Sequence, residues 1–156
     1  VIYLASPFCH PVRKVMEWRA RLAREVTVYL MGQGYDVFSP IVYSQALRDC
    51  GLNWRHERWL AFDMILLRSC GALWVLAMDG WQESQGVRFE CDVARRRGVP
   101  PFLLWPVRTN GVLNDFILEP LEADNNAQHR TDGKTRARIR SVVHRRGGRA
   151  RRSAAR

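Results

Sequence analysis

Residues 72–90 read A-L-W-V-L-A-M-D-G-W-Q-E-S-Q-G-V-R-F-E, and three kinds of local signal succeed one another within them. Ala72 to Ala77 is a short, bulky apolar run of the length of a buried strand, Asp79 to Ser84 is a turn, and from about Gln85 the spacing becomes helical. Val87, Glu90, Cys91 and Ala94 share one stripe at intervals of three and four, while Arg88, Asp92, Arg95 and Arg96 point elsewhere. Strand, turn and helix in that order form one unit of a parallel α/β sheet. The unit also sets a carboxylate, Glu90, on the inward stripe. A buried carboxylate is costly unless paired or hydrogen-bonded, so this position invites a functional reading.

The same alternation extends in both directions. Upstream, Val1 to Ala5 is a β-branched and aromatic run ended by Ser6-Pro7, which suits a central strand with the exit loop S-P-F-C-H-P. An amphipathic helix follows, with Pro11 in its first turn and an end near Gln33, where Gly32 and Gly34 can stop it. Tyr35 to Phe38 is a second strand closed by Ser39-Pro40, and residues 41–53 show no clean period and read as a loop with at most one helical turn. From Trp54 to about Ser69 the pattern is helical and nearly apolar all round, yet it contains Asp63, three residues after Leu60 and four before Leu67. Downstream of Glu90 the helix ends at Arg95-Arg96-Arg97-Gly98, Pro101 to Trp105 is a fourth strand, and residues 111–123 suit a weak final helix broken near Pro120. The expectation is an α/β fold: a three-layer, open, mainly parallel sheet of four or five strands, flavodoxin- or Rossmann-like, with helices on both faces. Ligands of such sheets lie beyond the carboxyl ends of the strands, near the point where strand order reverses.

Charge divides the chain of 156 residues into two parts. The net charge of +10 equals that of residues 130–156 alone, and the fourteen basic and fourteen acidic side chains before them cancel. We therefore expect an α/β domain over residues 1–123 and a disordered Arg-rich tail over 124–156, able to bind nucleic acid through salt-dependent, sequence-blind contacts. Cys9, Cys50, Cys70 and Cys91 are scattered, and with His10 and His56 they match no zinc spacing. They are read as reduced thiols of a cytoplasmic protein. No apolar run approaches the ~18 residues of a membrane span, and V-I-Y-L-A is broken too soon for a secretory signal.

Four features taken together resemble the nucleoside 2-deoxyribosyltransferase-like superfamily: I-Y-L-A-S-P-F at the first strand, G-Y-D-V-F-S-P at the second, the helical Asp63, and S-Q-G-V-R-F-E ending in Glu90. The likeness is nearest to a bacterial and phage subgroup that carries an additional G-W, here Gly80-Trp81, before the S-x-G-x-x-x-E motif. It covers about Val1 to Leu104. The resemblance implies that Glu90 is the nucleophile that captures the anomeric carbon as a glycosyl ester, that Tyr3 orients Glu90, and that Asp63 serves the departing base. It further implies that Ser84 contacts the sugar or its 5′-phosphate and, with Gly86, opens a helix whose amides can receive an anion. Ser6 and His10 on the first loop and Asp79 on the second are further substrate-binding candidates, and Trp81, in the added pair, could stack on a base. His10, Arg13 and Arg19 stand where a phosphate could be met. Relatives complete the site from a neighbouring subunit, for which Asn110, Asn114 and Asp115 are candidates, so a homo-oligomer is implied.

The residue types suit the chemistry. Breaking an N-glycosidic bond passes through an oxocarbenium-like state that one carboxylate stabilises and captures while a second acid serves the leaving group. No metal or organic cofactor is implied. The expected function is therefore cleavage or transfer at the N-glycosidic bond of a nucleoside or nucleoside 5′-monophosphate. A different class of function is a non-catalytic nucleotide-binding module with a nucleic-acid-binding tail. On spacing alone a helical glutamate is more often solvated than catalytic. It is the motif context that reverses the weighting.

Overall fold

The computed structural model describes residues 1–122, so the Arg-rich tail lies outside the described residues. Nine elements follow in order: β1 (Ile2–Ala5), α1 (Arg13–Gly32), β2 (Val37–Phe38), α2 (Pro40–Asp49), α3 (His56–Ser69), β3 (Ala72–Leu76), α4 (Gln85–Arg96), β4 (Pro101–Thr109) and β5 (Val112–Pro120). The five strands form one sheet in the order β2-β1-β3-β4-β5. Its first four strands are parallel, and β5 pairs antiparallel to β4. The architecture is the open α/β sheet of Rossmann- and flavodoxin-like folds.

The period of two in the central strands divides the core. Ile2, Leu4, Trp74, Leu76 and Leu104 pack with Leu22, Ala23, Val26 and Leu30 of α1. Tyr3, Ala5, Leu73, Val75 and Leu103 face the other way and pack with Met64 and Leu67 of α3 and Val87, Cys91, Val93 and Ala94 of α4. All four residues of β1 are buried, as a strand covered on both faces requires. The chain leaves β1 for β2 on one side and β3 for β4 on the other, so strand order reverses between β1 and β3.

Two expectations are corrected. Residues 41–53 are not mainly loop, because α2 occupies Pro40–Asp49. Ser39 caps this helix, its Oγ accepting from Val42 N–H at 3.5 Å, and Pro40 stands in the first turn, where its missing N–H costs nothing. No apolar stripe announces α2, since Pro40 is its only buried residue. The final helix expected from residue 111 is not found either, because β5 occupies Val112–Pro120. Asn110 and Gly111, with φ of 51° and 80°, make the tight turn that pairs Thr109 with Val112. Positive φ at both central residues is the two-residue hairpin geometry, and N-G is its usual sequence. A register shift between Val107 and Arg108 disturbs the alternation that would otherwise mark the strands. Smaller differences concern ends: α1 begins at Arg13, after Pro11, β2 is two residues long, and β4 runs on to Thr109.

Gly111→Ala is expected to destabilise the domain by about 1–2 kcal/mol, the cost of placing a Cβ in left-handed backbone. Nothing lies within 4 Å of the added atom, so the effect isolates the backbone term. An unchanged urea midpoint would show that the turn can adopt another form.

Candidate active site

The site begins with a strand aromatic. Tyr3 is fully buried in β1, its ring 5.8 Å from that of Phe38, and its hydroxyl donates to Glu90 Oε1 at 2.7 Å. Glu90 reaches it because α4 starts where it does. Ser84 Oγ accepts from Val87 N–H at 3.4 Å, fixing the first turn, and Glu90 follows on the stripe that carries Val87 and Cys91 into the core. Loss of water raises the Glu90 carboxyl to about 8, against the bond from Tyr3, which favours the ionised form, while Asp63 adds repulsion.

Asp63 comes from α3, whose Met64 and Leu67 join the same core. It is half-buried, and its Oδ1 is shielded from water with no hydrogen-bond partner among the described residues. Burial raises its carboxyl to about 6, with His56 opposing the rise. Burial first, then the fields of Glu90 and Asp63, drives the Tyr3 hydroxyl above its ordinary value. The three groups act on one another across a single place: two acids and a phenol, with no cation in salt-bridge contact with either acid among the described residues. An unpartnered buried carboxylate oxygen is uncommon in native proteins, and it keeps Asp63 a candidate site residue.

The remaining sequence candidates are sorted by the structure. Ser6 is buried at the end of β1, and its Oγ also lacks a partner among the described residues. Ser84 is engaged as the cap of α4. A Cβ on Gly86 would meet Ser84 Oγ at 3.9 Å, ordinary contact, so glycine is not required there by packing. Trp81 is half-buried and leans on the core that holds Tyr3 and Val87. The Asp79 side chain is exposed, and what this residue contributes inward is its carbonyl, which accepts from Arg19 Nη2 at 2.9 Å. His10 Nδ1 accepts from Val12 N–H at 3.0 Å and so helps start α1. Of the other basic candidates, Arg13 pairs with Glu17 on the surface, while Arg19 is buried and turned onto backbone carbonyls. Asn110, Asn114 and Asp115 lie on the β4–β5 hairpin, where Asn114 donates to Thr109 and Asp115 accepts from Phe116 N–H.

A surface depression of about 210 Å³ beside Phe8, Met16 and Gln45 lies on the α1 side of the sheet. It is not the place of the carboxylates, which face α3 and α4. Among the described residues no group of three or more His, Cys, Asp or Glu could hold a metal, all four cysteines are free thiols, and no helix is long and apolar enough to cross a membrane.

Residues 1–105 match the family model described as a domain of unknown function, DUF1937. The chain belongs to that family. No curated protein matches it. The DUF1937 match spans β1 to the middle of β4 and contains Tyr3, Asp63 and Glu90, together with both loops at the strand-order reversal, whereas β5 falls outside it.

Within this DUF1937 domain, Tyr3→Phe is expected to move the Glu90 carboxyl further up, by about one to two pH units, the equivalent of a lost hydrogen bond to a charged group. Carboxyl-carbon NMR titration reads it directly. A Glu90 resonance titrating as in the wild type would mean that the bond contributes nothing to its ionisation.

Proposed function

We propose that this protein cleaves or transfers the N-glycosidic bond of a nucleoside or nucleoside 5′-monophosphate through a glycosyl ester on Glu90. One observation carries the reading: Tyr3 holds Glu90 by a 2.7 Å hydrogen bond beside Asp63, whose buried Oδ1 has no partner among the described residues. The order and spacing of the motifs that resemble the 2-deoxyribosyltransferase-like superfamily support the same assignment of roles.

In the first step an ionised Glu90 oxygen forms a bond to the anomeric carbon as the carbon–nitrogen bond breaks, and the electron pair of that bond leaves with the base. The two acids share one proton, and the reactive form is the one in which Asp63 holds it and gives it to the departing nitrogen, while the Tyr3 hydroxyl favours the ionised form of Glu90. In the second step water or another base attacks the same carbon, Glu90 leaves as carboxylate, and Asp63 takes back a proton. The phenol of Tyr3 orients the attacking oxygen and steadies the carboxylate that is regenerated. Transfer and hydrolysis differ only in what enters the emptied base position.

Incubation of the full chain with deoxynucleosides and deoxynucleoside 5′-monophosphates, followed by chromatography, is expected to show free base, or an exchanged base when a second one is added. Ligand-induced stabilisation without base release from any of them would replace the reading with that of a binding module.

A further inference from the structure

Arg19 is the largest feature of the rim that this chemistry leaves unused. It lies on α1 and is 7% exposed, far below what is usual for an arginine. Among the described residues no carboxylate lies within salt-bridge distance of it, and its Nε is buried without a partner. Its guanidinium instead spans two loops. Nη1 donates to Cys9 O at 2.9 Å and more weakly to Phe8 O at 3.5 Å, and Nη2 donates to Asp79 O at 2.9 Å. Phe8 and Cys9 follow β1, and Asp79 follows β3. These are the two strands between which strand order reverses.

The Gly80-Trp81 pair acquires a physical meaning here. Gly80 has φ of +87°, and a Cβ on it would collide with Arg19 Nη2. A side chain at residue 80 would have to push the guanidinium tip away from the Asp79 carbonyl. A planar group with donors in a fixed fork is also what such a span requires, since an ammonium is a single point donor.

We infer that Arg19, admitted by Gly80, is a positioning residue that fixes the separation of the β1 and β3 loops, and with it the distance between Ser6 and the start of α4 at Ser84. This rests on the proposed glycosyl chemistry for its catalytic consequence but not for its geometry. Orientation effects are steep, and about 1 Å of displacement remote from the reacting atoms can cost on the order of 100-fold in rate.

The test compares wild type, Arg19→Lys and Gly80→Ala, each at a temperature where circular dichroism shows it fully folded. If wild type releases base, both variants are expected to lose about 100-fold in kcat with a much smaller change in KM and with the pH limbs of the Glu90 and Asp63 pair unmoved. Gly80→Ala keeps the charge of Arg19 but adds the backbone strain of a side chain at φ of +87° to the displacement of its tip, so only a change shared with Arg19→Lys, which leaves the loop backbone unaltered, identifies the span. Unchanged kcat per folded molecule in either variant overturns the inference. If wild type releases no base, the glycosyl reading fails by itself, and amide exchange decides the clamp: faster exchange in both loops, residues 6–11 and 79–84, in both variants supports it, and loosening of one loop or neither overturns it.

Discussion

Glu90→Gln is expected to lower base release by at least about 10³-fold, the scale on which removal of a covalent nucleophile acts. Glutamine keeps the shape of the side chain, and its carbonyl oxygen can still accept from the Tyr3 hydroxyl, so α4 and the core stripe of Val87, Cys91 and Ala94 have no reason to move. What is lost is the ability to form a glycosyl ester. Asp63→Asn differs in kind, because it removes a proton donor from the leaving-group side and is expected to cost about 10²–10⁴-fold. The loss should be smaller for substrates whose base departs without protonation, whereas that of Glu90→Gln should not depend on the base. Glu90→Ala supplies the converse check. It opens a cavity beside Tyr3 into which azide or formate can enter, and partial recovery of base release with these anions is expected. Full activity in Glu90→Gln, measured by chromatography of free base, would remove Glu90 from the mechanism.

How much of this was legible in the sequence depends on what each residue is surrounded by. β1, β3 and α4 could be read because their neighbours are fixed by burial: a strand covered on both faces is apolar throughout, and a helix packed on a sheet carries one stripe. Glu90 was conspicuous because it interrupts such a stripe, and Asp63 because it interrupts an apolar helix. α2 was hidden for the opposite reason. Only Pro40 is buried in it, and its contacts, Val42 on the α1 core and the Tyr43 ring between Phe38 and Phe62, come from adjacent positions and leave no period. β5 was lost although Asn110-Gly111 announced the hairpin, because the irregularity at Val107/Arg108 broke the alternation. The role of Arg19 lay beyond any pattern. Its partners are main-chain carbonyls of residues 8, 9 and 79, which composition and spacing do not encode, and the one trace left in the sequence is the glycine that makes room for it.

Stability is expected to fall as pH rises across the neutral range, against the usual behaviour of carboxylates. Asp63 and Glu90 have ordinary values of 3.8 and 4.5, and burial raises them to about 6 and about 8 in the folded chain. A carboxyl whose folded value is raised binds more protons folded than unfolded between those two values, so unfolding becomes easier as pH climbs through the interval and then levels off. The pair therefore favours the fold fully below about pH 4, and that contribution is lost progressively up to about pH 8. Both residues keep part of their surface in water, so each contributes less than the displacement of its carboxyl alone would suggest, Glu90 the larger share. Glu25, held below its ordinary value mainly by its hydrogen bond from Arg108, acts with the opposite sign but only in the acid range, which leaves the window from pH 5 to 8 to the carboxyl pair, while nearer pH 9 the thiols of Cys70 and Cys91, both raised by burial, add a fall of the same sign. Urea unfolding across that window should show wild type losing stability. Glu90→Gln should show a much flatter dependence and should exceed wild type at pH 9. A wild type that gains stability up to pH 9, or a Glu90→Gln variant with the wild-type slope, would mean that the carboxyl is solvated after all. The substitution expected to abolish catalysis is thus also expected to strengthen the fold at alkaline pH, the trade that follows when an acid is kept from water for its chemistry and not for the stability of the chain.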